Sequence, residues 1–146
     1  MKTLKFEIDI AAEPKKVWNT MLNADTYKKW VSAAWPDSFY KGEFKKGNEV
    51  SFIGPDGSGM LAQITDFNPS DQVKMKHIAI LNPGGVRDTS SDMAKTLVGT
   101  EENYFFKKSG DNTHLVVELK VNPSWEQMFS DTWPTALKDL KSLSEQ

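Results

Sequence analysis

SWEQMFSDTWPTALKDLKSL, residues 124–143, carries apolar side chains every three or four positions: Trp125, Met128, Phe129, Trp133, Ala136, Leu137, Leu140 and Leu143. That spacing gathers them on one stripe of an α-helix. Ser124 followed three residues later by Gln127 has the spacing of a capping box and marks the start. A helix of about 20 residues is about 30 Å long, so its stripe needs an apolar partner surface of similar length. Pro134 removes the amide that would bond the carbonyl of Ser130, so the helix is expected to kink or divide there.

Upstream of this helix, residues 38–122 hold no convincing helical period; they read as strands near 38–44, 48–53, 59–67, 72–80, 98–107 and 113–121. Turn residues separate them, at Lys46-Gly47-Asn48, Gly54-Pro55-Asp56-Gly57, Asn68-Pro69-Ser70-Asp71 and Gly110-Asp111-Asn112. Short connections of this kind join antiparallel neighbours. The exception is Asn82 to Thr96, a long polar connection around Pro83-Gly84-Gly85 and Asp88-Thr89-Ser90-Ser91-Asp92, of the length that often forms a binding rim or lid. Farther out, Leu4, Phe6, Ile8 and Ile10 alternate with Lys5, Glu7 and Asp9 as a half-buried strand. The period then changes. Pro14 opens a short helix bearing Val17, Trp18, Met21 and Leu22, and Asn23 caps a second with Ala24, Tyr27, Trp30 and Val31 as its stripe. Only the sheet offers enough surface for the last helix. The expected fold is α+β: a curved antiparallel sheet of about seven strands around a long C-terminal helix, with two short helices after the first strand.

Composition removes several classes of function. The 146 residues, 38% hydrophobic and 26% charged, suit one globular domain spanning 1–146. There is no Cys, which excludes disulfides, thiolate nucleophiles and thiolate metal sites, and a cytoplasmic location is expected. The longest apolar run, Ile78 to Leu81, is far short of a membrane span. Net charge is −2, and Arg87 is the one arginine among 18 basic residues, a poor basis for nucleic-acid or phosphate recognition. Lys41, Lys45, Lys46, Lys74 and Lys76 read as solvated strand faces.

The order of a strand, two short helices, six strands and a long helix resembles the helix-grip fold of the START-like superfamily. Pro14, Val17-Trp18 and Trp30 look like its opening pattern. Trp133-Pro134-Thr135-Ala136-Leu137-Lys138-Asp139-Leu140-Lys141 is similar to the close of the branch related to activators of the heat-shock protein 90 ATPase. The resemblance implies a cavity between sheet and helix that holds lipids, polyketides or other apolar molecules; some members are cyclases or hydrolases. The co-chaperone that names the branch has a further domain without counterpart here, so its activity is not carried across. No family set of acid, base and nucleophile matches this sequence position by position.

Strand alternation assigns the cavity's lining. With Lys74 and Lys76 facing water, Val73, Met75, His77 and Ala79 turn inward; in the next strand Val98, Thr100, Glu102, Tyr104 and Phe106 do. In 113–121 Leu115, Val117, Leu119 and Val121 point inward and His114 outward. Two histidines on opposite faces, without Cys, make no zinc centre, and neither metal nor cofactor is expected. The candidate ligand-binding residues are Trp30, Trp35, Met75, His77, Glu102, Tyr104 and Met128; Trp18 and Trp133 read as packing. His77 and Glu102 lie on adjacent strands and are candidates for proton transfer, against the plainer reading that His77 is the buried hydrogen-bond partner of Glu102 or that both sit at a wet cavity mouth. Three functions follow: binding of a small apolar molecule with His77, Glu102 and Tyr104 orienting it; a cyclase- or hydrolase-type enzyme using His77 and Glu102; or a co-chaperone-like module that binds a protein partner through the outer sheet face or the Asn82–Thr96 segment.

Overall fold

A computed structural model describes residues 1–146. Strand β1 (Lys2–Ile10) leads into helices α1 (Pro14–Leu22) and α2 (Ala24–Val31). Strands β2 (Phe39–Lys41), β3 (Glu49–Ile53), β4 (Gly59–Asn68), β5 (Gln72–Asn82) and β6 (Val86–Asp88) follow. Helix α3 (Asp92–Leu97) precedes β7 (Glu101–Ser109) and β8 (Asn112–Val121), and α4 (Glu126–Ser144) closes the chain. All pairings are antiparallel, in the order β1-β8-β7-β5-β4-β3-β2, with β6 folded back on the end of β5. The curved sheet and the long helix agree with the expectation; the sheet has eight strands rather than seven.

The long connection expected over 82–96 holds β6 and most of α3, which ends at Leu97. Ser91 caps α3 by accepting from the Ala94 amide, and Ala94 and Leu97 bury themselves against Ile80. A six-residue helix with one apolar side is too short for periodicity to announce it. Val98, expected inside a strand, follows α3 and is exposed. Two further corrections concern α4. Its start is organised not by a Ser124–Gln127 box but by Asn122, whose side chain accepts from the Ser124 amide and hydroxyl and starts a 3-10 turn at Pro123–Trp125. The helix also runs through Pro134 undivided. Packing of Phe129, Trp133, Ala136, Leu137 and Leu140, all buried, outweighs one lost backbone bond.

The main core is the space between that stripe and the sheet. Ile10, Val17, Met21, Val31, Val50, Met75, Leu115, Leu119 and Leu140 are among its most deeply buried members. Each aliphatic or Met side chain taken out of water contributes about 1.5–3 kcal/mol. Asn23 caps α2 as anticipated, accepting from the Asp25 amide. In β5, however, alternation holds only to His77. Ile78 is an extra residue in the β4–β5 register, where Ala62 faces His77 while Leu61 faces Ala79. The bulge reverses which side chains face the helix. Ala79 therefore joins a small separate cluster with Ile53, Leu61 and Leu81, and Ile80 takes the side of α3.

Candidate binding pocket

His77 ends the regular part of β5 and is fixed through its backbone to the Gly99–Thr100 segment. Its amide donates to the Thr100 carbonyl and its carbonyl accepts from the Gly99 amide, both at 2.9 Å. Gly99 has φ +90°, a left-handed value that allows the chain to turn from α3 into β7 along this edge. His77 as a whole is 3% exposed. Its Nδ1 lies 2.9 Å from the Thr100 hydroxyl, and that hydroxyl donates to the Leu97 carbonyl at 2.6 Å. On the other side of the ring, Nε2 is 3.8 Å from Oε1 of Glu102, outside hydrogen-bond range. Glu102 and Tyr104 stand two residues apart on β7, so they share a face, and the Tyr104 hydroxyl donates to Oε2 of Glu102.

These groups form the inner end of a pocket of about 180 Å³. Helix α2 contributes Tyr27 and Trp30, and α4 contributes Phe129 and Trp133; all four are buried. Trp35, Ser38, Phe52, Gly54, Ser58, Gly59 and Met60, each partly exposed, line the rest of the wall with Ile53. Trp133 is the centre of the aromatic packing, with ring centroids 6.1 Å from Trp30, 5.4 Å from Trp35 and 6.0 Å from Tyr104. The Trp30 indole donates to the Met21 carbonyl at 3.1 Å, whereas the Trp133 indole N–H has no partner. Lys and Arg are absent from the lining.

Burial sets the protonation of the pocket. Desolvation disfavours the charged imidazolium and lowers the pKa of His77 to about 4. The same cause raises Glu102 to about 7, with the Tyr104 hydrogen bond acting in the opposite direction. Tyr104 is pushed well above its ordinary value, by burial first and then by the adjacent Glu102, and Tyr27 is raised for the same two reasons. At neutral pH the inner end thus holds a neutral imidazole, a neutral phenol and a carboxyl near the midpoint of its titration, and the Tyr27 phenol in the wall is neutral as well.

Of the seven candidate residues, Trp30, Trp35, His77, Glu102 and Tyr104 meet at this pocket, while Met75 and Met128 lie outside its wall. Met75 faces the same side of β5 as His77 but is 1% exposed within the main core. The turn of α4 brings Phe129 to the pocket in place of its neighbour Met128, which packs against the core and Thr132. Trp133, read as packing alone, is both packing and wall. Thr100 carried no role in the sequence beyond facing inward, yet it is the group that holds His77. His114 is outside, as expected, between Asp9 and Glu7.

A family model described as activator of Hsp90 ATPase homolog 1-like protein matches residues 11–145. Among solved structures, protein MLL2253 from Mesorhizobium loti superposes with a TM-score of 0.77 at 12% identity, over 97% of this chain and 96% of that one. The Aha1 dimer from Colwellia psychrerythraea gives 0.74 at 21% identity, over 99% and 97%. CalU16 from Micromonospora echinospora gives 0.68 at 14% identity, over 97% and 75%. At these identities the likeness is one of fold. No curated protein sequence matches the chain. The family match over nearly its whole length, on a sheet that grips its last helix, makes the chain a member of the activator of Hsp90 ATPase homolog 1-like family, of START-like fold.

Proposed function

We propose that the chain works as one cytoplasmic START-like domain that binds a small apolar molecule between the sheet and α4. The observation that supports this reading is the pocket's make-up: walls of Tyr27, Trp30, Trp35, Phe52, Phe129 and Trp133, with polar side chains at its inner end confined to His77, Glu102 and Tyr104. Binding sites for small molecules combine apolar walls with a few placed polar groups in this way. The volume favours a one- or two-ring molecule over a sterol or a long acyl chain, since a cavity of about 150 Å³ takes benzene. The enzyme alternative is weaker on His77, whose low pKa makes it a poor base at neutral pH; it would rest on Glu102, which titrates near neutrality.

Three tryptophans in the wall make binding visible. Small aromatic compounds are expected to quench or shift the tryptophan emission of the wild type and to raise its unfolding temperature by mass action. Met60→Trp, which fills the pocket from β4, is expected to abolish both responses. Neither response from a broad aromatic panel, and no small molecule carried along in native mass spectrometry, would overturn the reading. A protein partner captured equally well by wild type and Met60→Trp would favour the interaction-module alternative instead.

A further inference from the structure

We propose that the inner end of the pocket selects a neutral hydroxyl group, a phenol or alcohol on a small aromatic frame, held between Nε2 of His77 and Oε1 of Glu102. The inference rests on the pocket reading above and deepens it.

The argument begins with a single proton. A threonine hydroxyl has one hydrogen, and that of Thr100 is committed to the Leu97 carbonyl, which can only accept. Toward the imidazole, Thr100 is therefore an acceptor, and Nδ1 of His77 must carry the N–H of their 2.9 Å contact. A neutral ring has only one N–H, so Nε2 presents a bare lone pair on the side of Glu102. Burial keeps the ring neutral. The carboxyl is sorted in the same way. Tyr104 donates to Oε2, so when Glu102 is protonated its proton sits on Oε1, the oxygen 3.8 Å from Nε2.

An acceptor and a donor thus stand 3.8 Å apart, too far to satisfy each other. One oxygen atom placed about 2.8 Å from both satisfies both, provided it donates and accepts at once. A hydroxyl does this. An ether or ketone only accepts and leaves Nε2 unpaired. A carboxylate would add a second acid beside Glu102 in a pocket without Lys or Arg. A water molecule also fits, and a ligand hydroxyl that replaces it restores both of its hydrogen bonds. The remainder of the ligand meets Trp30, Phe129 and Trp133.

Three probes of nearly equal size test this: 4-ethylphenol, 4-ethylanisole and 4-ethylbenzoate, titrated into the protein at pH 6 and followed by amide NMR shifts. The phenol is expected to bind about tenfold more tightly than the anisole, the benzoate more weakly still. Glu102→Gln, whose amide still accepts from Tyr104 and donates into the pocket, should retain the phenol preference, and His77→Phe, which removes the accepting lone pair that only a hydroxyl can satisfy, should reduce it to within about twofold. Imidazole nitrogen shifts give a readout independent of any ligand, with His77 expected as the Nδ1–H tautomer. Equal binding of phenol and anisole, or an Nε2–H tautomer, overturns the hydroxyl inference and leaves the pocket reading standing. Binding of none of the probes overturns both.

Discussion

The two histidines show how strongly place outweighs residue type. His77, sealed behind α3 and the aromatic wall, is 3.8 Å from one carboxyl oxygen and is held neutral. His114, on the outer face where β1 meets β8, touches two carboxylates, Asp9 at 2.7 Å and Glu7 at 3.1 Å, and its pKa is raised chiefly by those hydrogen bonds. Both have acidic neighbours. Inside, the loss of hydration dominates; outside, hydration is retained and the neighbours decide. The interior histidine is therefore an instrument for placing a lone pair, and the exterior one a pH-dependent strut between β1 and β8.

The largest expected departure comes from Glu102. Its pKa rises on folding from 4.5 to about 7, so the unfolded chain ionises first and stability declines as pH rises between those values. The full cost, about 3 kcal/mol, is present above pH 7. Glu102→Gln should be more stable than wild type at pH 8 by much of that amount in urea unfolding; equal stability would mean that Glu102 is not desolvated.

The same variant sharpens the comparison on the acid side. His77 falls on folding from 6.5 to about 4, so its contribution is lost as pH drops through that window. In the wild type the Glu102 trend runs the opposite way over pH 4.5–6.5, and the two offset each other. With Glu102→Gln the offset disappears, and stability should fall by about 2–3 kcal/mol between pH 6.5 and 4. A pH-independent variant would break the contrast between the histidines.

Next is Thr100→Val, expected to cost about 1–2 kcal/mol by leaving Nδ1–H without its acceptor. Its diagnostic effect is release of the tautomer, read in the imidazole nitrogen spectrum. The smallest effect belongs to His114→Gln. The pair of exposed contacts it removes is worth less than about 1 kcal/mol. Because the folded pKa is raised, that stabilisation is fully present below pH 6.5 and vanishes as pH rises through the folded value. A loss that persisted at pH 9 would show that charge is not its cause.

How much of this was legible in the sequence depends on whether a signal repeats. The stripe of α4, the alternation of β1 and β8 and the Asn23 cap repeat or follow fixed spacing, and the structure has them. The inward direction of His77, Glu102 and Tyr104 followed from period-2 parity, and they do meet at one end of the pocket. Parity stops being informative at Ile78, because a bulge depends on pairing with β4 and leaves no local mark. Periodicity likewise places Met128 and Phe129 on the same stripe but does not fix the roll of α4, which decides between them. Helix α3 is short and polar, so Leu97 and its carbonyl, on which the state of His77 depends, had no visible counterpart.

The edge where the first and last strands meet has a consequence for how the protein is made. Lys2 pairs with Val121 and Ile10 with Thr113, and β1 has no other strand neighbour. Of the two partners β1 leaves a ribosome first, and it must therefore wait, unpaired, until more than a hundred further residues have been translated. Closing so long a loop makes assembly of this sheet intrinsically slow, and the charges at Lys5, Glu7 and Asp9 keep the waiting strand from pairing with the wrong chain.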